Sequence, residues 1–248
     1  MIQVENLHKS FNGLEVLRGT SFQVGKGEIL ALIGRSGYGK SVLLKLVAGL
    51  LKPDKGRVLI NGYDIFRLRG KKLEEIRRRF GFLFQSGALF DSLTIFENVA
   101  FPLREKAKLS EEEIERKVID LLDQVDLRGA EEKYTAQISG GMMKRAALAR
   151  ALVINPEIML FDEPTTGLDP IIACSILNLI DSLHKRLGFT GILVTHEIPA
   201  VFQFVQRVAM LHEGRILTLA SPEQIQSSQD PIIKQFIAGC VEGPIRYH

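Results

Sequence analysis

Gly34-Arg35-Ser36-Gly37-Tyr38-Gly39-Lys40-Ser41 has the spacing GxxxxGK[ST], with a strand-like apolar run before it and a helical pattern after it. Glycines in such a turn let successive N–H groups point inward, and the helix that follows adds its positive end, so the loop can hold polyphosphate oxygens. Lys40 supplies a charge for the β- and γ-phosphates, and the Ser41 hydroxyl can ligate Mg2+. A glycine turn without a ligand would leave the Lys-Ser pair unexplained. Ile158, Met159, Leu160 and Phe161 form a second apolar run that delivers Asp162 and Glu163 at its carboxyl end, where doubly wound sheets place their ligands. Neighbours on a strand point opposite ways, so only one carboxylate faces a metal directly. Asp162 suits Mg2+ and Glu163 can hold an attacking water, the division of labour of a nucleotide hydrolase. The plainer use of both would be to cap the turn at 164–166. Ser139-Gly140-Gly141 opens a basic helix and makes a second anion site by the same exposed N–H groups, although alone it would serve as a simple helix cap.

The elements around these residues follow from periodicity. Short β-rich runs at 2–4, 22–24 and 28–33 precede the glycine loop, and the last ends directly in it. Val42, Leu43, Leu44, Leu46, Val47 and Leu50 then have the three-to-four spacing of a helix packed on a sheet, stopping near Pro53. Residues 57–60 lead across Asn61-Gly62 as a hairpin, and the basic stretch 67–79 reads as a solvated helix. Ser110 with Glu113 is a capping box ahead of Ile114, Val118, Leu121, Leu122 and Val125 on one helical face. Residues 88–155 are therefore expected to be mainly helical, inserted between strand-containing parts. The runs at 158–161 and 191–194 suit central parallel strands, joined by a helix that ends at Gly188.

Composition sets limits on function. The 248 residues are 46% hydrophobic and 25% charged, enough for a sizeable core and incompatible with disorder or a fibre. A net charge of +3 is too small to argue for nucleic acid as partner, so Arg77-Arg78-Arg79 reads as a wet helix face or as facing an acidic partner. No apolar run reaches the ~20 residues of a bilayer-spanning helix, and the start lacks a secretory pattern, which points to the cytoplasm. Cys174 and Cys240, far apart and outside any CxxC, are expected to be reduced thiols.

The glycine loop, the Ser139-Gly140-Gly141 signature about a hundred residues on and the apolar strand ending in Asp162-Glu163-Pro164 together resemble the ATP-binding cassette family over nearly the whole chain. The resemblance implies an α/β fold of the P-loop NTPase kind. It would have a mostly parallel core sheet, an N-terminal antiparallel β part and an inserted helical subdomain. The cassette would be single, with residues 1–87 and 156–225 as ATPase core, 88–155 as helical subdomain and 226–248 as tail. ATP and Mg2+ are the implied ligands, with Gly34 to Ser41 and Val42 around the phosphates and Ser41, Gln85 and Asp162 toward the metal. By the same resemblance Phe11 stacks on adenine beside Val16, Gln85 reaches Mg2+ and the attacking water, and His196 contacts the γ-phosphate. Glu163 and Lys40 complete the catalytic set, and Asp169, in Gly167-Leu168-Asp169, lies on a loop that crosses to a second subunit. Ser139, Gly140 and Gly141 close on the nucleotide of that subunit, so a homodimer is implied.

Residues 84–90 and 97–105, Leu127-Arg128-Gly129-Ala130, Met142 after the signature glycines, and 235–239 running to Glu242-Gly243-Pro244 resemble the Mla/Mce lipid-transport branch. That branch implies an MlaE-like membrane permease, an MCE-domain lipid-binding protein and in some systems a STAS-domain partner. It also implies a peripheral place on the cytoplasmic side of the bacterial inner membrane and a phospholipid cargo, the alternatives being an amino acid, a metal or a drug. A nucleotide-gated clamp outside transport is disfavoured by the single cassette and the lack of a heptad run. Two departures stand out: Ile138 in place of the usual Leu of the signature, and a bulky Tyr38 in the phosphate loop.

Overall fold

A computed structural model describes residues 1–106 and 109–246. In chain order the elements begin with β1 (Ile2–Phe11), β2 (Leu14–Val24), β3 (Ile29–Ile33), α1 (Lys40–Val47), β4 (Lys55–Ile60), β5 (Tyr63–Asp64), α2 (Gly70–Arg77) and β6 (Phe80–Leu83). There follow α3 (Ile95–Lys106), α4 (Glu111–Gln124), a 3-10 turn (Thr135–Gln137), α5 (Gly140–Leu152), β7 (Ile158–Asp162), α6 (Pro170–Leu187) and β8 (Thr190–Val194). The chain continues with α7 (Ile198–Val201), β9 (Arg207–His212), β10 (Arg215–Ala220), α8 (Pro222–Gln226) and α9 (Pro231–Ala238). None of the helices among the described residues is long and apolar enough to cross a membrane. The chain divides into two compact units, Met1–Leu73 with Thr190–His248, and Glu74–Phe189.

The first unit carries two sheets. One is antiparallel in the order β2-β1-β4-β5, closed by the expected hairpin in which Ile60 pairs with Tyr63 and Asn61 and Gly62 take positive φ of 50° and 83°. In the other, β3 lies between β8 and β9 and runs parallel to both, while β10 returns antiparallel on β9. All five residues of β3 and of β8 are buried, as strands covered on both faces must be. The Arg207 guanidinium grips the Glu28 carboxylate with two hydrogen bonds, 2.5 and 2.9 Å, fastening the start of β3 to β9. β3 thus delivers the glycine loop from a rigid base.

The second unit pairs β6 with β7 in parallel and surrounds them with helices. β7 is wholly buried. The capping box on α4 is formed, with Ser110 Oγ accepting from Glu113 N–H and Glu113 accepting from Ser110 N–H, and the expected face of α4 is buried. Asp169 caps the start of α6, and Gly188 ends it with a φ of 67°. The helical stretch 88–155 lies inside this unit, which also holds β6, β7 and α6.

Candidate functional site

In the first unit the phosphate loop leaves β3 at Gly34, whose φ of 144° belongs to glycine. A Cβ there would stand 2.2 Å from the carbonyl oxygen of Leu211 in β9, so the loop can lie this close to the sheet only without a side chain. Gly39, at φ 93°, is the residue just before α1, and a Cβ on it would come within 2.6 Å of Val16. Val16 therefore borders the loop. Lys40 is 4% exposed, and its ammonium donates to the carbonyls of Gly34 (2.7 Å) and Arg35 (3.0 Å). The lysine thus closes the loop on itself with its ammonium held inside the turn. Ser41 and Val42 are half-buried in the first turn of α1 and Ser36 and Gly37 are exposed.

Tyr38 finds a place that the sequence did not suggest. Its ring meets His212 edge-on at 5.4 Å, and the Arg35 guanidinium lies 5.6 Å from its centroid. The bulky side chain is seated beside the loop, leaving the backbone to carry the turn. Arg35 also donates to the carbonyl of Arg246 at 2.8 Å, which ties the stretch after α9 to the phosphate loop. Phe11 sits at the tip of the β1–β2 hairpin, 41% exposed, with the Lys9 ammonium 5.4 Å from its ring. His196 is exposed just beyond β8.

The second unit brings Gln85, Asp162, Glu163 and the signature helix together. Asp162, 5% exposed, ends β7, and Glu163 follows at a φ of 49°. That left-handed backbone on a glutamate carries strain of about 1–3 kcal/mol, which persists only where surrounding structure holds it. Gln85 Nε2 donates to Glu163 Oε2 at 3.1 Å, and the Thr166 hydroxyl donates to the same oxygen at 3.0 Å. Two donors on one oxygen hold that oxygen of the carboxylate in place. Thr166 N–H also donates to the Glu163 carbonyl, so the turn at 163–166 and the carboxylate are one unit.

Ser139 caps α5 by accepting from Met142 N–H at 3.3 Å, and Ser139 and Gly140 are exposed. A Cβ on Gly141 would stand 2.8 Å from a methyl of Ile172, an exposed side chain that would have to shift to admit it. Asp169 accepts from the N–H groups of Ile171 (3.0 Å) and Ile172 (3.1 Å) while remaining exposed, so its structural role as a cap is filled within the chain. Ile138 is half-buried directly before the cap, a position where leucine and isoleucine are interchangeable in character.

Sequence reasoning passed over Lys144 and Arg150. Lys144 is 7% exposed on α5 and donates to the main-chain carbonyl of Gln85. Burial holds its ammonium below the ordinary lysine value, and the Glu163 carboxylate opposes that shift. Arg150 donates to the carbonyls of Gly87 (2.7 Å) and Ala88 (2.6 Å). The available signal was a lysine four residues before Leu148 and seven before Ala151, on the stripe that a helix buries.

A buried parallel strand, a loop of glycine-only conformations and a lysine-led helix define a phosphate-loop nucleotide-binding protein of the α/β class. The family model of the ABC transporter matches residues 17–166. The chain is 42% identical over 247 residues to the intermembrane phospholipid transport system ATP-binding protein MlaF of Haemophilus influenzae, covering 100% of this chain and 94% of that one. It is also 42% identical to the probable ribonucleotide transport ATP-binding protein mkl of Mycobacterium leprae, over 98% of this chain and 70% of that one. Among solved structures, the ATP-binding cassette MJ0796, a dimer in a post-hydrolysis state bound to ADP and Pi, superposes with a TM-score of 0.82 at 32% identity over 90% of this chain and 99% of that one. The chain belongs to the ABC transporter family, as an ATP-binding and ATP-hydrolysing cassette.

Proposed function

We propose that this cassette is the ATPase subunit of an Mla/Mce-type phospholipid transport system. Its phosphate loop carries the nucleotide half of the reading: Gly34 lies close against Leu211, the buried Lys40 ammonium is held by the loop carbonyls, and such a glycine turn before a helix can offer its N–H groups to phosphate oxygens. The cargo rests on the likeness to MlaF along the full chain.

The roles assigned to the site residues are these. Residues 34–42 bind the phosphates, Lys40 gives its charge to the β- and γ-phosphates, and Phe11 and Val16 take the adenine. Glu163 accepts the proton of the attacking water, with Gln85 orienting that water and His196 donating to the γ-phosphate. The hydroxyl of Ser41, the carboxylate of Asp162 and the amide oxygen of Gln85 are all hard oxygen donors, the set that Mg2+ takes. When bound, Mg2+ supplies charge neutralisation on the phosphate oxygens.

Two copies of the chain close as a homodimer, with Ser139, Gly140 and Gly141 of one facing the nucleotide of the other and Asp169 on the loop between them. This arrangement is supported by the dimeric state of MJ0796. Residues 1–87 and 156–225 act as the ATPase core, 88–155 as the helical subdomain and 226–248 as a tail. The dimer docks on an MlaE-like permease at the cytoplasmic face of the inner membrane, with an MCE-domain protein in the same complex and, as in some systems of that branch, a STAS-domain partner. A nucleotide cargo is the second reading, favoured by the likeness to mkl.

Purification with an MlaE-like permease, followed by mass spectrometry of bound lipid and reconstitution into liposomes, separates the two. Phospholipid in the complex and ATP-dependent movement of labelled phospholipid, lost in Glu163→Gln, support the first. ATPase activity stimulated by ribonucleotide, with no lipid bound, overturns it in favour of the second.

A further inference from the structure

The segment 85–94 carries Gln85 yet has no regular secondary structure of its own until Ile95. It is fastened at both ends. At the far end Asn98, fully buried, donates to the carbonyls of Phe90 (3.0 Å), Leu93 (3.2 Å) and Thr94 (3.0 Å) and accepts from Phe90 N–H (2.8 Å). At the near end the fastening comes from α5, whose first turn is the signature. Lys144 donates to the Gln85 carbonyl, and Arg150, two turns on, donates to Gly87 and Ala88. Those two residues hold positive φ, 76° and 50°, so the backbone turns its carbonyls toward the helix. Gly87 also lies against α5, since a Cβ on it would meet the Ala147 methyl at 3.3 Å.

The near end is unusual in its chemistry. An ammonium at a buried helix position is costly unless its hydrogens are used, and here one is given to the very residue whose side chain holds Glu163. Charge-assisted bonds to main-chain carbonyls hold a backbone in place whatever its side chains do. The side chain of Gln85 then starts from a fixed point and reaches Glu163 Oε2 at 3.1 Å.

We propose that Lys144, backed by Arg150, is a positioning residue: it anchors the backbone of Gln85 to the signature helix, so that any movement of α5 is passed to Gln85 and through it to Glu163. The inference rests on the reading of Gln85 and Glu163 as catalytic groups, and it adds a buried cation that donates to the Gln85 main chain. A shift of α5 on closure of the dimer would move Gln85 with it, coupling the signature of one site to the base of its own chain.

Hydrogen–deuterium exchange on the full chain without nucleotide tests the anchor apart from any activity. In Lys144→Met the peptide covering 83–90 is expected to exchange about tenfold faster, the effect of losing one charge-assisted hydrogen bond. Peptides from β7 and α4 should be unchanged, and Lys144→Arg, whose guanidinium can reach the same carbonyl, should restore most of the protection. Unaltered exchange at 83–90 in Lys144→Met overturns the anchor even if ATP hydrolysis is normal. Steady-state kinetics on the chain with its permease then test the consequence. Lys144→Met should lower kcat by about a hundredfold, with KM for ATP changed less than about threefold. Placed on Gln85→Ala, it should cost almost nothing more, because the residue it positions is already gone. Losses that multiply in the double variant would mean that Lys144 acts independently of Gln85, and the proposal would fail. A wild-type complex without ATPase activity would instead refute the assignment of Gln85 and Glu163, leaving the exchange result standing by itself.

Discussion

Alanine at Gly34 and at Gly37 separates two reasons for glycine in the phosphate loop. Both residues have φ in the region that side chains rarely adopt, 144° and 82°, so each substitution meets backbone strain of about 1–3 kcal/mol. Only at Gly34 does the new Cβ also strike fixed backbone, 2.2 Å from Leu211 O, whereas Gly37 has nothing within 4 Å. Overpacking of that kind adds about 1–3 kcal/mol, because β9 is held in the sheet by β3 and β10 and does not yield. Gly34→Ala should therefore be less stable than Gly37→Ala by about 2 kcal/mol. For a chain of this size that is a difference in Tm of about 4–8 °C. Differential scanning fluorimetry without nucleotide gives the Tm difference, and chemical denaturation with a matched slope gives the free energy. ATP affinity should fall with the same ranking, since relief of the clash lifts the loop away from β9. Equal melting temperatures for the two variants would refute the close approach of Gly34 to β9 as the reason for its glycine.

Glu163→Gln should retain ATP without turning it over and shift the chain toward a dimer in ATP and Mg2+; light scattering that finds only monomer at saturating nucleotide would argue against the paired cassette. Ser110→Ala removes the acceptor of the α4 capping box and should cost about 1 kcal/mol, a drop in Tm of about 2–4 °C, with ATPase activity unchanged; an unaltered Tm would count against the cap. Asp54 accepts from the Lys9 ammonium (2.8 Å) and from Ser10 N–H (2.6 Å), and these bonds hold its carboxyl below the ordinary carboxylate value. Its contribution is thus present above about pH 4 and lost as the pH falls through the lower folded-state value, so the stability gap between wild type and Asp54→Asn should shrink on acidification; a gap that widens below pH 4 would contradict that sign.

What the sequence made legible was local. The loop at 34–41, the box at Ser110 and Glu113, the Asn61-Gly62 hairpin and the Gly188 stop each place their signal within a few residues, and each is formed. β1 and β2 proved much longer than the apolar runs 2–4 and 22–24, because register shifts between Val4 and Leu7 and again beyond Lys9 break the alternation by which a strand is read. α3 was hidden by Pro102 inside it, although Thr94 and Glu97 form the same reciprocal cap as Ser110 and Glu113. The hairpin of β9 and β10 turns through Glu213 and Gly214, both at positive φ, a signal that lay in plain view. In the site the residue types were readable and their partners were not. Lys144 and Gln85 are 59 residues apart, and Arg35 and Arg246 are 211 apart, distances over which periodicity says nothing.

Calorimetric titration of ATP with Mg2+ into the full chain, beside Lys40→Ala, bears most directly on the claim that residues 34–41 cradle a nucleotide's phosphates. Saturable heat approaching one ATP per chain in the wild type, with affinity lost in Lys40→Ala, is the predicted result. No heat from folded wild-type protein, or equal affinity in the lysine variant, would contradict it.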